Sequence, residues 1–188
     1  MTPLALISTN VLSVATFMAD ALIVLSAIII AVVILKKPYP RLHAISRKAA
    51  DHALLAGLII SSGSVLASLF YSNIIGFPPC ELCWWQRVFI FPQVVLFAVA
   101  FYNERKNKIT DEMVFVYSLI LSLMGGVIAL YNYIGQFSPS LLTACGAGPS
   151  CAQIFFTSFG YITIPMMSLT AYLLLIIVFF FRRHGKRL

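Results

Sequence analysis

The chain has 188 residues, of which 61% are hydrophobic and only 10% are charged, whereas an ordinary soluble domain carries roughly a quarter of charged residues. A mean hydropathy of +0.96 excludes a typical water-soluble fold, and the shortage of polar residues excludes an intrinsically disordered chain. The formal charge of +7 at first points to nucleic acid, so the positions of the basic residues decide what that charge means.

Five apolar stretches divide the chain, and each is long enough to cross a bilayer as a helix. The first stretch has no basic segment before it and is too long for a cleaved signal peptide, so we expect it to be retained. The sequence therefore predicts an all-α integral membrane protein with five transmembrane helices. The stretches run over Val11–Leu35, Ala53–Phe70, Trp84–Tyr102, Met113–Ile134 and Tyr161–Phe181.

Twelve of the 13 basic residues lie in three clusters, which follow the first, third and fifth stretches. The two intervening connections, residues 72–83 and 135–160, contain no Lys or Arg. By the positive-inside rule, the clusters and the C-terminus face the cytoplasm of a bacterial inner membrane, and the N-terminus and both connections lie outside. Because no nucleic-acid-binding motif accompanies the clusters, we expect no nucleic-acid partner.

One carboxylate, Asp20, lies inside the first stretch. A carboxylate in hydrocarbon is costly unless it reaches the interface or a partner. We interpret Asp20 as a residue of the outer third of the membrane, close to headgroup water.

The outer connection before the third stretch contains Cys80 and Cys83 in the sequence Pro-Pro-Cys-Glu-Leu-Cys-Trp-Trp-Gln-Arg. Proline suits the start of a helix, so both cysteines are expected in a first turn, where free N–H groups and the helix dipole favour a thiolate. Arg87 follows Cys83 by four residues on the same helix face, about 6 Å further along the axis. A structural disulfide or half of a zinc site for the cysteines, and an Arg87 that snorkels to headgroups, stay open.

The second outer connection contains Cys145 and Cys151, separated by Gly-Ala-Gly-Pro-Ser. Because all four cysteines lie on the outer side, where disulfides persist, we expect a disulfide in each pair. The glycines and the proline favour turns and predict a mobile, accessible loop. Tyr131, Asn132 and Tyr133, at the outer end of the fourth stretch, are typical of membrane-interface residues.

These motifs resemble the DsbB family of disulfide-formation proteins. Residues 80–87 (Cys-Glu-Leu-Cys-Trp-Trp-Gln-Arg) are similar to the family's core motif, and residues 161–169 (Tyr-Ile-Thr-Ile-Pro-Met-Met-Ser-Leu) are similar to the start of its last helix. The resemblance covers residues 51–181. It implies a four-helix membrane bundle that oxidises a thioredoxin-like, DsbA-type protein and passes two electrons to a membrane quinone, either ubiquinone or menaquinone.

The resemblance also implies roles for single residues. Cys145 corresponds to the cysteine that the partner's thiolate attacks, and Cys151 to the one that then exchanges with Cys80. Cys83 corresponds to the electron donor to the quinone, and Arg87 to the arginine that contacts the quinone. The four cysteines are thus the expected catalytic residues and Arg87 the expected quinone-binding residue, without a metal.

Two features depart from the family pattern. The first helix and its basic loop, residues 1–48, have no counterpart in four-helix members, so we expect an added element before a DsbB-like membrane domain at residues 49–188. Only five residues separate Cys145 from Cys151, which leaves the order of thiol exchange open. The alternative function is a non-catalytic membrane scaffold held by two structural disulfides.

Overall fold

The computed structural model describes residues 3–34, 47–107, 112–138, 145 and 150–185. Within these ranges there is no β-strand, and the five long helices all have the length and composition needed to cross a membrane. The prediction of an all-α membrane protein with an additional N-terminal helix is confirmed. The helices are α1 (Pro3–Ile34), α2 (Ala53–Leu69), α3 (Glu81–Asn107), α4 (Met113–Phe137) and α5 (Ile164–Gly185).

Helices α2 to α5 form the bundle. Helix α4 packs against α3 and α5, and α2 packs against the same two helices. Small residues allow two of these contacts to be close. A Cβ atom added at Gly125 would overlap the ring of Tyr172, and one added at Gly57 would overlap the ring of Phe97. Both aromatic rings are fully buried in the core, so these glycines are needed for the helices to approach each other.

A buried polar contact also joins α3 to α4. Gln93 is completely buried, and its Oε1 accepts hydrogen bonds from Ser118 Oγ at 2.6 Å and Ser122 Oγ at 3.2 Å. Its Nε2 donates to the carbonyl oxygen of Phe89 at 3.1 Å. Gln93 therefore has partners for both ends of its amide, as a buried polar group in an apolar bundle requires.

One end of the bundle is held by a buried cation. Arg182 near the end of α5 pairs with Glu112, just before α4, at 2.8 Å, and donates to the carbonyl oxygen of Ala50, just before α2, at 3.0 Å. The second basic cluster begins at the same end, where α3 finishes with Arg105 and Lys106. The cysteines lie at the opposite end of the bundle, Cys83 in the first turn of α3 and the other three in the connections, which matches the predicted separation of charge and sulfur.

Helix α1 packs against α5, and Asp20 makes hydrogen bonds there. Tyr161 Oη donates to one carboxylate oxygen at 3.0 Å, and Thr170 Oγ1 donates to the other at 2.7 Å. The sequence did not predict these two protein donors, whereas the contact with Tyr161, in the connection that contains Cys151, agrees with the expected position of Asp20 towards the outer side of the membrane. The carboxylate is partly buried between two helices and obtains from protein donors the stabilisation that hydrocarbon does not provide.

The C-terminal end of α2 changes its helical geometry before the first cysteine pair. Residues Phe70–Ile74 form a π-helical turn, in which the backbone N–H of Ile75 donates to the carbonyl oxygen of Phe70 at 3.1 Å. Such turns are frequent at functional sites because they turn side chains away from their regular α-helical positions. Here the turn includes Tyr71, which is buried and lines a cavity described below.

Candidate redox site

The first cysteine pair lies at the N-terminal start of α3. Cys80 precedes the helix, and its carbonyl oxygen accepts a hydrogen bond from the backbone N–H of Trp84 at 3.1 Å. The Sγ atoms of Cys80 and Cys83 lie 3.0 Å apart as two free thiols. The expected disulfide is therefore not formed here in the structure, although the first-turn placement brings the two sulfurs into hydrogen-bond contact.

The side chain of Asn132 approaches both sulfurs from α4. Its Nδ2 lies 3.9 Å from Cys80 Sγ and 3.9 Å from Cys83 Sγ, within the distance for a hydrogen bond to sulfur. Asn132 is only 1% exposed, so the interpretation of this residue as an interface residue is wrong. A polar side chain of a transmembrane helix turns inward when it finds a partner there, and this partner is the thiol pair.

The surroundings of Cys80, which precedes the apolar span of α3, favour its thiolate. The hydrogen bond with the Cys83 thiol is the largest of several contributions that lower the pKa of Cys80 to about 6, and burial opposes it. Further hydrogen bonds from Asn132 and from backbone N–H groups act in the same direction. Cys80 is therefore suited to be a thiolate at neutral pH, when most cysteines are protonated.

The second cysteine pair forms the disulfide Cys145–Cys151. Cys151 is 3% exposed and packs with Cys80 and Leu82 in one buried cluster, which Cys83 and Cys145 border. We call these five residues the thiol cluster. The predicted mobility of the loop between Cys145 and Cys151 concerns residues 146–149, which lie outside the described residues.

Two cavities adjoin the thiol cluster, and Cys83 lines both. The smaller cavity, of about 30 Å³, is also lined by Cys80, Cys151 and Asn132. The larger cavity, of about 290 Å³, lies between α1, α2, the start of α3 and α5. Cys83 therefore lies between a space lined by Cys80 and Cys151 and a larger apolar space.

Arg87 lines the larger cavity together with Cys83, as the shared helix face predicted. Its Nε donates to Ser68 Oγ at 3.0 Å, its Nη2 donates to the carbonyl oxygen of Ser68 at 3.1 Å, and its guanidinium lies 5.1 Å from the ring centre of Trp84. These contacts hold the partly buried guanidinium against α2. Snorkelling to headgroups alone does not predict such protein partners.

The larger cavity has the character of a small-molecule site. Its wall is mostly apolar, and its few polar groups include the Arg87 guanidinium, the Cys83 thiol and the Ser68 hydroxyl. Its volume is close to the lower end of the range that holds drug-sized ligands, roughly 300–1,000 Å³. A lipid-soluble molecule with a polar group suits this combination.

The structure thus brings together all five residues that the sequence singled out, the four cysteines and Arg87. Sequence reasoning missed two neighbours that shape the site, Asn132 beside the sulfurs and Ser68 beside the guanidinium. For Asn132 a signal was present, because an amide within an apolar helix is expected to find a polar partner. No sequence signal distinguishes Ser68 from the other serines of α2.

A helical membrane bundle with two adjoining cysteine pairs at one end defines the class of multi-pass membrane thiol oxidoreductases. The family model described as Disulfide bond formation protein DsbB matches residues 50–181. The chain therefore belongs to the DsbB family, as its motifs predicted, and has a role in disulfide bond formation. Helix α1 precedes the matched residues.

Similar proteins from bacteria carry names of the same kind. The SPbeta prophage-derived disulfide bond formation protein B of Bacillus subtilis is 38% identical over 62% of this chain and 75% of its own length. Disulfide bond formation protein C of the same organism is 33% identical over 66% of this chain and 87% of its own. A probable disulfide formation protein of Coxiella burnetii is 32% identical over 70% of this chain and 87% of its own length. No solved structure matches the chain.

Proposed function

We propose that the protein reoxidises an extracytoplasmic, thioredoxin-like protein of the DsbA type and transfers the two electrons to a membrane quinone. The observation that carries this proposal is the position of Cys83, which lines both the cavity shared with Cys80 and Cys151 and the larger cavity that contains Arg87. One sulfur therefore has access to the other cysteine pair and to a space suited to a lipid-soluble acceptor. Residues 49–188 would form the catalytic membrane domain, and residues 1–48 the added helix and basic loop.

The first step is attack on the outer disulfide. Cys145 is more exposed than Cys151, which is buried in the thiol cluster, so the partner's thiolate reaches Cys145 first. A mixed disulfide forms between the partner and Cys145, and Cys151 leaves as a thiolate. The Cys145–Cys151 disulfide is the oxidant in this exchange, so the step needs no other electron acceptor.

The second step moves the electrons inward. The Cys151 thiolate attacks Cys80 of an oxidised inner pair, the Cys80–Cys151 bond forms, and Cys83 is released. The partner's second thiol then attacks the mixed disulfide and displaces Cys145. The partner is thereby released with its own disulfide formed. Cys145 attacks Cys151 in turn, so the outer disulfide is restored and Cys80 is released. The net product is one outer disulfide and two inner thiols, which is the arrangement in the structure.

The larger cavity suits a quinone ring for chemical reasons. A bound quinone supplies an acceptor for two electrons and two protons. Arg87 has N–H donors beyond the two that Ser68 accepts, and these are available to a ring carbonyl oxygen. Cys83 provides the thiol next to the same space, whose wall is mostly apolar.

The proposed orientation follows from charge. The end of the bundle with Arg105, Lys106 and Arg182 would face the cytoplasm of a bacterial inner membrane, and the thiol cluster would face the oxidising side. In that orientation the cysteines meet secreted proteins, whose disulfides are formed on that side.

A quinone-reduction assay tests the proposal. Purified protein receives a reduced thioredoxin-like protein and a short-chain ubiquinone, and both the oxidised partner and the reduced quinone are measured. Wild type should reduce one quinone for each dithiol that it oxidises, and Cys83→Ala should reduce none. If Cys83→Ala turns over like wild type, or if wild type leaves both substrates unchanged, the proposed function is wrong and the scaffold alternative gains support.

A further inference from the structure

Helix α1 lies outside the residues that match the family, yet it lines the larger cavity. Four residues of α1 face that space. They are spaced three, one and three positions apart along the chain, which places them on one side of the helix. They are Leu12, Ala15, Thr16 and Ala19. The opposite wall of the cavity comes from α2 and α5, so α1 lies between the cavity and the surrounding lipid.

We propose that α1 is a specificity-determining wall of the quinone site and that Asp20 is the positioning residue that fixes it. This inference rests on the proposed function, since it concerns the acceptor that binds beside Cys83 and Arg87. It adds to that function a residue-level control of quinone affinity by an element that residues 50–181 do not contain.

The attachment of α1 lies directly beside the cavity. Thr170, which donates to Asp20 at 2.7 Å, itself lines the cavity. Tyr161 donates to the other carboxylate oxygen at 3.0 Å, and the rings of Phe17 and Phe159 stack at 5.3 Å. Two hydrogen bonds to a carboxylate and one ring contact hold α1 against the outer part of α5, next to the space that they enclose.

The most buried side chains of α1 are polar, and the exposed ones on its other side are apolar. Ser13 and Thr16 are 1% and 8% exposed, whereas Val14 and Met18 are 50% and 59% exposed. The hydroxyl of Ser13 has no hydrogen-bond partner among the described residues. This arrangement fits a helix that packs small polar side chains against the bundle and presents its other side to lipid.

The small side chains of Ala15 and Ala19 leave room for a ring on the α1 side of the cavity. A large side chain at Ala19 would therefore occupy the space from the α1 side without touching any cysteine or Arg87. Ala21 is two residues further on, is exposed, and is not part of the cavity wall. Ala19→Phe and Ala21→Phe are thus a matched pair, with the same chemical change on two sides of one helix.

Two readouts separate an effect on quinone from an effect on folding. Quinone binding is measured directly by quenching of tryptophan fluorescence, because the only two tryptophans, Trp84 and Trp85, lie at the start of α3. The probes are a short-chain ubiquinone and menadione. The second readout, made without quinone, is the rate at which dithiothreitol reduces the Cys145–Cys151 disulfide.

We expect Ala19→Phe to raise the quinone Kd about tenfold, because the free-energy cost of overpacking corresponds to roughly this loss of affinity. The rate of disulfide reduction should stay unchanged. Ala21→Phe should leave both unchanged. The two quinones should be affected to different extents, because their rings differ in size. If Ala19→Phe and Ala21→Phe bind both quinones like wild type, the inference about α1 is wrong, whereas the proposed function stands.

Asp20 is tested by an apolar and a conservative substitution. Asp20→Leu keeps α1 apolar enough to cross the membrane but removes both hydrogen bonds, so it should weaken quinone binding. Asp20→Asn retains an acceptor oxygen and should restore most of the affinity. If Asp20→Leu binds quinone like wild type, Asp20 does not position the wall. If wild type itself neither binds nor reduces quinone, the proposed function and this inference fail together.

Discussion

The two cysteines at the start of α3 differ in their surroundings. Cys80 is buried with Cys151 in the thiol cluster. Its sulfur accepts hydrogen bonds from the Cys83 thiol, Asn132 and backbone N–H groups. Cys83 lines the larger cavity beside Arg87. The resemblance assigned exchange with the outer pair to Cys80 and electron donation to Cys83, and these surroundings support that division of roles.

The low pKa of Cys80 predicts how the reduced protein responds to pH. Because the pKa lies near 6, the Cys80 thiolate is present above that pH and is lost as the pH falls through it. The ultraviolet absorbance of thiolate, measured as the difference between reduced wild type and reduced Cys80→Ser, should show a midpoint near 6. A midpoint near the ordinary cysteine value of 9.0 would contradict the hydrogen bonding described for this sulfur.

A matched pair of variants shows whether Asn132 contributes to that midpoint. Asn132→Leu removes a hydrogen-bond donor to the sulfurs and should move the midpoint upward. Gln93→Leu removes a buried amide of α3 that bonds only to Phe89, Ser118 and Ser122 among the described residues. The Gln93 variant should therefore leave the midpoint of Cys80 unchanged.

Arg87 is expected to act on quinone and not on thiol exchange. Arg87→Ala removes a charged hydrogen-bond donor worth roughly 1.5–3 kcal/mol, so the KM for quinone should rise about tenfold or more. The rate at which a reduced partner opens Cys145–Cys151 should not change. Ser68→Ala is the control for the anchor of Arg87 and should produce a smaller rise. An unchanged KM in Arg87→Ala would remove this residue from the quinone site.

At the scale of the helices, hydropathy and charge were sufficient to predict five spans and their boundaries to within a turn at most ends. The largest differences are the start of α1, at Pro3 where Val11 was predicted, and the end of α3, at Asn107 where Tyr102 was predicted. The start of α3 at Glu81 agrees with the first turn that Pro78 and Pro79 predict, although the charged Glu81 lowers the local hydropathy. The π-helical turn at Phe70–Ile74 has no signal in the pattern of apolar residues.

The packing of α4 on α5 provides a test at the same scale. Gly125→Ala places a methyl group into the ring of Tyr172 and should destabilise the protein by about 1–3 kcal/mol. Gly63→Ala, in α2, meets no atom within 4 Å and should have little effect or stabilise slightly, because alanine is the better helix former. Thermal unfolding in detergent measures both. Equal melting temperatures would show that α4 and α5 do not approach as closely as described.

For the whole molecule, the sequence placed the sulfurs at one end and the basic clusters at the other, and the contacts of Arg182 agree with it. Less of the site than of the fold could be predicted from the sequence. Spacing along one helix was enough to place Arg87 on the same face as Cys83. The contacts of Asn132 and Ser68, and the part of α1 in the cavity wall, depend on how separate helices meet, which periodicity within one helix does not encode.

In the proposed relay, electrons pass between the two cysteine pairs through a bond between Cys80 and Cys151. The double variant Cys83→Ser/Cys145→Ser, which retains only those two cysteines, tests for this bond. After mild oxidation in the membrane, peptide mapping by mass spectrometry under non-reducing conditions should find the Cys80–Cys151 disulfide within each chain. Two cysteines that stay as free thiols, or that bond only between different molecules, would contradict the relay.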